Sequence, residues 1–94
     1  MAGYFIANYT ITNPAAYQEY VAAVGPSLEA HGAEMVVVDR ETEKLEGPAG
    51  PVTVVIRFAT KAVAESWYNS PEYQAIKHLR TDNSEGVAVI AEGN

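Results

Sequence analysis

The hydrophobic pattern switches between two periods along the chain. Tyr4 to Ile11 is dense in β-branched and aromatic side chains and reads as a first strand. Asn13-Pro14 follows, a good helix N-cap and then a proline suited to the first helical position. Tyr17, Tyr20, Val21, Val24 and Leu28 recur at helical spacing and form one apolar stripe. Gly25-Pro26 falls inside that stripe and predicts a kink or a loosened turn. Gly32, just after His31, predicts the helix stop.

Strand character returns at Met35 to Asp39. Residues 40–51, with Gly47-Pro48 and Gly50-Pro51, read as the connection to a third strand over Val52 to Ala59. Thr60 is placed to cap a second helix carrying Val63, Ala64, Trp67 and Tyr68. Ser70-Pro71-Glu72 restarts the helical pattern with a new cap, and Tyr73, Ile76, Leu79 and Arg80 continue one face. A polar loop over residues 81–86 and a fourth strand from Gly86 to Ala91 complete the series. The order is strand, helix, strand, strand, helix, strand. Its compact solution is an α+β, ferredoxin-like βαββαβ unit: a four-stranded antiparallel sheet, two helices on one face, strands one and three central. Residues 1–94 then form a single domain.

The strands do not alternate cleanly. Ile6 opposes Phe5, Ala7 and Ile11; Val36 and Val38 oppose Met35 and Val37; Val54, Ile56 and Phe58 oppose Val55; Val87 and Val89 oppose Ala88 and Ile90. Both faces of the sheet are therefore apolar, whereas an antiparallel sheet with one wet face should alternate. Two short helices cover one face only. A second copy on the helix-free face is the simplest cover, which predicts an isologous homodimer.

Composition supports this picture. Hydrophobic residues make up 48% of a chain of 94, so disorder is not expected. Twelve acidic residues against six basic ones give a net charge of −6 with no basic run, which excludes nucleic acid and anionic membrane surfaces as expected partners. The N-terminus has no basic region before an apolar core, and the apolar runs, such as Met35 to Val38 or the five residues Val87 to Ala91, are far too short to span a bilayer. A cytoplasmic protein is expected. There is no cysteine, hence no disulfide, thiolate nucleophile or cysteine-held metal. No HExxH, DxDxDG or glycine-rich phosphate loop occurs, so no metal or cofactor is expected.

The stretch Trp67-Tyr68-Asn69-Ser70-Pro71-Glu72-Tyr73-Gln74 resembles the hallmark of a bacterial family, domain of unknown function 1330. Tyr4-Phe5-Ile6-Ala7-Asn8, Pro14-Ala15-Ala16-Tyr17 with Glu19-Tyr20, Glu43-Lys44-Leu45-Glu46-Gly47 and Arg80 resemble other parts of its pattern. After the second strand, Asp39-Arg40-Glu41 stands where the family pattern has Arg-Gly-Gly. The resemblance implies a dimeric α+β barrel. That superfamily includes cofactor-free monooxygenases, small-molecule isomerases and dimers without catalysis, so fold alone does not give a function.

Several residues stand out as carriers of chemistry. His31 and His78 are the acid–base candidates, because imidazole titrates near neutrality. Each also sits where a cation at a helix end is ordinary. Arg80 matches the family pattern; it would either grip a ligand carboxylate in a bidentate fork or form an ion pair with an acid of this chain or its partner. Arg57, in mid-strand between Ile56 and Phe58, must be paired or wet; Glu34 or Asp39 would pair it, and anion binding inside the barrel is the alternative. Asn8 and Tyr9 point to opposite faces of the first strand. Trp67 and Tyr73, with Tyr68, form an aromatic group that is either packing or the wall of a ligand site. Asn8, Tyr9, Arg57, Trp67, Tyr73 and Arg80 are thus the candidate ligand-binding set. The functional expectation is a homodimeric small-molecule-binding protein acting on a small organic acid or quinone-like compound, with catalysis left open. The alternative is a structural dimer with no ligand pocket.

Overall fold

The computed structural model describes residues 1–94. Its elements run β1 (Gly3–Ile11), α1 (Pro14–Ala30), β2 (Glu34–Asp39), β3 (Val52–Phe58), α2 (Lys61–Tyr68), α3 (Pro71–Ile76), α4 (His78–Thr81) and β4 (Ser84–Glu92). The four strands form one antiparallel sheet in the order β2-β3-β1-β4, so β1 and β3 are central as the crossover rule requires. No helix is long and apolar enough to cross a membrane.

Local chemistry sets the helix starts. The Asn13 side chain accepts from the Ala16 N–H at 3.3 Å, Thr60 from Val63 at 3.1 Å and Ser70 from Tyr73 at 3.2 Å. Gly32 adopts φ +65°, the left-handed turn that ends α1. Two expectations are corrected. First, α1 runs unbroken through Gly25-Pro26, and the Ser27 hydroxyl donates to the Val24 carbonyl at 2.9 Å in the turn the proline disturbs. Second, β4 begins at Ser84, two residues before Gly86. Ser84 and Glu85 pair with Ile11 and Thr10, so part of the polar loop is strand end.

Phe5, Ala7 and Tyr9 of β1 and Val52, Ile56 and Phe58 of β3 are buried beneath the helices. They meet Tyr17, Tyr20 and Leu28 of α1, Ala64 and Trp67 of α2, and Tyr73 of α3. Trp67 is the hub: it is 0% exposed, its ring lies 5.2 Å from Phe5, 5.3 Å from Phe58 and 4.1 Å from Tyr73, and its Nε1–H donates to Ser27 Oγ at 3.1 Å. Gly86 opposite Tyr9 lets β4 approach. A Cβ there would overlap the Asn8 carbonyl and come within 2.6 Å of the Tyr9 Cα.

The simple alternation read for the second strand fails at one residue. Met35 pairs with Ile56 and Val37 with Val55, which leaves Val36 as a β-bulge. Val38, paired with Val54, therefore joins Met35 on the helix side of the sheet. Val37 faces the other way with Val55, Ile6, Val87 and Val89, the apolar residues of the helix-free face. On that face Val87 is 68% and Val89 55% exposed.

Candidate functional site

Tyrosines from three elements converge between α1 and the sheet. Strand β1 brings Tyr9, α1 brings Tyr17 and Tyr20 one turn apart, and α3 brings Tyr73. The hydroxyls of Tyr9 and Tyr17 are hydrogen-bonded to each other, and those of Tyr20 and Tyr73 are bonded at 2.9 Å. Beside them lies a cavity of about 130 Å³. Phe5, Leu28, Val54 and Ile56 form its apolar walls, Tyr9, Tyr17 and Tyr20 contribute rings and hydroxyls, and Arg40 and Arg80 contribute charge. Val21, Met35 and Val38, all exposed, form the mouth.

Arg80 is the unusual member. It is 7% exposed, yet the chain's one ion pair is Arg57 with Glu34, so no carboxylate neutralises it. Its Nε–H donates to Tyr73 Oη at 3.2 Å, and its guanidinium carbon stands 5.8 Å from the Phe5 ring centre. That is its one side-chain hydrogen bond within the chain. No buried side-chain nitrogen lacks a partner, so its remaining N–H groups are the ones that reach open space. Burial alone would lower its pKa, but Tyr73, Tyr20 and Tyr68 leave it net raised, and the group is a fixed cation. A buried charge without a partner is costly. Arg40, the second guanidinium, stands 5.9 Å from the Tyr17 ring centre. No carboxylate, amide or histidine lines the cavity.

Two of the phenols, those of Tyr9 and Tyr20, stay neutral for a related reason. Burial pushes the pKa values of Tyr9 and Tyr20 well up, and hydrogen-bonded neighbours Tyr17 and Tyr73 add to the shift. The folded state thus favours the protonated phenols. Their stabilising contribution is complete below the ordinary tyrosine value of 10.0 and is lost as pH rises above it. In an alkaline titration followed by tyrosinate absorbance and circular dichroism, Tyr9 and Tyr20 are expected to ionise together with cooperative loss of structure. Full ionisation of all six tyrosines while the fold persists would refute this.

The structure brings together three of the residues singled out in the sequence, Tyr9, Tyr73 and Arg80, and places the others elsewhere. Trp67 sits behind Tyr73 in the core, away from the cavity. Asn8 lies on the helix-free side, where its amide binds Gly50 N and O, the Val52 carbonyl and the Thr53 hydroxyl, tying down the end of the β2–β3 connection. Arg57 is on the same side, exposed, with Glu34 at 3.6 Å. His31 caps α1, its Nδ1 2.8 Å from the Ser27 carbonyl oxygen, and His78 opens α4; neither lines the cavity. Tyr17, Tyr20 and Arg40 were not among the predicted site residues. The first two were visible as members of the α1 stripe, and Arg40 only as a departure from the family pattern.

A second hollow of about 290 Å³, open to solvent, lies between α2 and β4 and has Glu65 as its one charged residue. It has no cation to hold an anion.

Residues 2–94 match the family described as a domain of unknown function, DUF1330. No curated protein matches the sequence. Among solved structures, the RPA0582 protein of unknown function from Rhodopseudomonas palustris superposes with a TM-score of 0.77 at 13% identity, covering 99% of this chain and 82% of that one. SnoaB, a cofactor-independent oxygenase from Streptomyces nogalater, gives 0.68 at 8% identity, covering 99% and 93%. A dimeric protein of unknown function and ferredoxin-like fold from Bacteroides fragilis gives 0.57 at 11% identity, covering 98% and 96%. At these identities the likeness is one of fold, and the fold is the α+β ferredoxin-like one.

Proposed function

We propose that this chain, which belongs to the DUF1330 family, is a cytoplasmic, single-domain homodimer that binds a small organic acid in the cavity between α1 and the sheet. The carrying observation is Arg80: a buried guanidinium with no carboxylate partner, its free N–H groups beside an aromatic-walled space. A ligand anion is the natural complement, since a charge-assisted pair inside a low-dielectric site is stronger than one in water. The dimer reading is supported by the apolar helix-free face, where Val37, Val87 and Val89 are exposed without cover.

Chemistry on the bound ligand is the finer proposal. SnoaB, which shares the fold, carries out oxygenation without a cofactor. Tyr9 and Tyr20 are neutral phenols and Arg80 is a fixed cation, groups that orient and polarise a substrate; neither histidine reaches the space. The geometry therefore favours binding and positioning over general acid–base work by His31 or His78.

The test is a nuclear magnetic resonance titration with a mixture of simple organic acids. Signals of Tyr9, Tyr17, Tyr20 and Arg80 are expected to shift saturably, with those of Asn8 and Arg57 unmoved. Binding should be flat between neutral pH and the onset of alkaline unfolding, because Arg80 is held charged and Tyr9 and Tyr20 are held protonated over that range. A spectrum indifferent to every acid would remove the proposal in favour of a dimer without a ligand.

A further inference from the structure

We infer that the cavity selects a carboxylate carried on a single ring, excluding fused-ring and uncharged compounds of the same shape. The inference rests on the reading of the cavity as an organic-acid site and narrows it. Three observations carry it.

The first is size. A space of about 130 Å³ is close to the roughly 150 Å³ apolar cavity that takes up benzene. It is well below the several hundred Å³ common for larger ligands. The walls include the flat or branched faces of Phe5, Val54 and Ile56, which suit a ring, and the Arg80 guanidinium stands over the Phe5 ring itself.

The second is a hydrogen count. Tyr9, Tyr17, Tyr20 and Tyr73 own one phenolic hydrogen each, and their hydroxyls make two bonds among themselves. Each bond consumes one hydrogen. Whichever member of a pair donates, the other keeps an O–H with no acceptor in the chain. Tyr73 also accepts from Arg80 Nε. If Tyr73 donates to Tyr20, the spare hydrogen of that pair belongs to Tyr20, which lines the cavity. In that arrangement the lining offers two spare O–H groups and the free guanidinium N–H groups, and its side-chain oxygen acceptors are phenol oxygens alone. A donor-rich site of this kind fits a group with two acceptor oxygens.

The third is charge. A neutral quinone would accept from the phenols but leave the buried Arg80 uncompensated. A carboxylate satisfies both. Arg40, exposed at the mouth, adds a second positive charge on the way in.

Calorimetric titration of the unmodified protein with benzoate, acetate, benzyl alcohol and 2-naphthoate tests this without any variant. Benzoate is expected to bind tightest, with acetate, benzyl alcohol and 2-naphthoate each weaker by roughly tenfold or more. Arg80→Met keeps the volume of the side chain and removes a costly buried charge, so the fold should survive. It should weaken benzoate by roughly ten- to hundredfold and leave benzyl alcohol unchanged. Arg40→Ala, an exposed position, should weaken benzoate several-fold and spare benzyl alcohol. If 2-naphthoate equals or exceeds benzoate, the ring-size inference is wrong while the organic-acid reading stands. If benzyl alcohol equals benzoate, the charge argument is wrong. If none of the acids binds, both the inference and the reading beneath it fall.

Discussion

Trp67→Ala is expected to lower folding stability by about 3–5 kcal/mol, the usual cost of deleting a fully buried large aromatic side chain. The site offers no easy collapse. The indole is enclosed by Phe5, Phe58, Tyr68 and Tyr73, which belong to β1, β3, α2 and α3. Its loss also removes the indole Nε1–H bond to Ser27 Oγ, which keeps only its own bond to the Val24 carbonyl. Domains of this size hold only about 5–15 kcal/mol in total, so the variant should lose a large fraction of its stability and unfold at a much lower urea concentration. Trp67 is the chain's one tryptophan, so the measurement is urea unfolding by circular dichroism instead of fluorescence. Trp67→Phe should lose distinctly less, because it keeps most of the ring contacts. An unchanged urea midpoint in Trp67→Ala would show that the aromatic hub does not hold the helices to the sheet.

The second large effect concerns association. Val87→Lys combined with Val89→Lys places two cations on the helix-free face, where both positions are already exposed within one chain. Exposed substitutions of this kind change folding by no more than about 0.5 kcal/mol. Inside a sheet-to-sheet interface the same charges would be buried without partners, which is severely unfavourable. Sedimentation is expected to show the unmodified protein as a dimer and the double variant as a monomer of half the mass with an intact circular dichroism spectrum. A monomeric parent, or a variant that stays dimeric, would move the proposed interface off this face.

Much of the architecture is legible in local chemistry. Asn13, Thr60 and Ser70 announce the helix starts and cap them as read. Strand order follows from the succession of elements and the handedness of crossovers. What escaped the sequence depends on relations that no short window contains. The bulge at Val36 is a mismatch of register between β2 and β3, and a run of four apolar residues carries no mark of it. The continuity of α1 past Pro26 depends on tertiary packing overriding a local breaker. At the site, Arg80 and Tyr73 were found because their neighbourhood resembles a family pattern. Tyr17 and Tyr20 were hidden in plain view, since a tyrosine in an amphipathic stripe reads as core until the cavity beside it is known. The histidines drew notice for their chemistry, but helix-end positions place them away from the cavity.

The bulge has one more consequence. Strand β2 is an outer border of the sheet, and Met35, Val36, Val37 and Val38 are all exposed there. A straight border this greasy would template the addition of one chain after another, the route to fibrils. The extra residue at Val36 breaks the even spacing of the backbone groups presented outward and sharpens the local twist. A newcomer finds no continuous ladder to extend. The chain can thus keep an oily strand at its rim, useful as the doorway to its cavity, without inviting endless polymerisation.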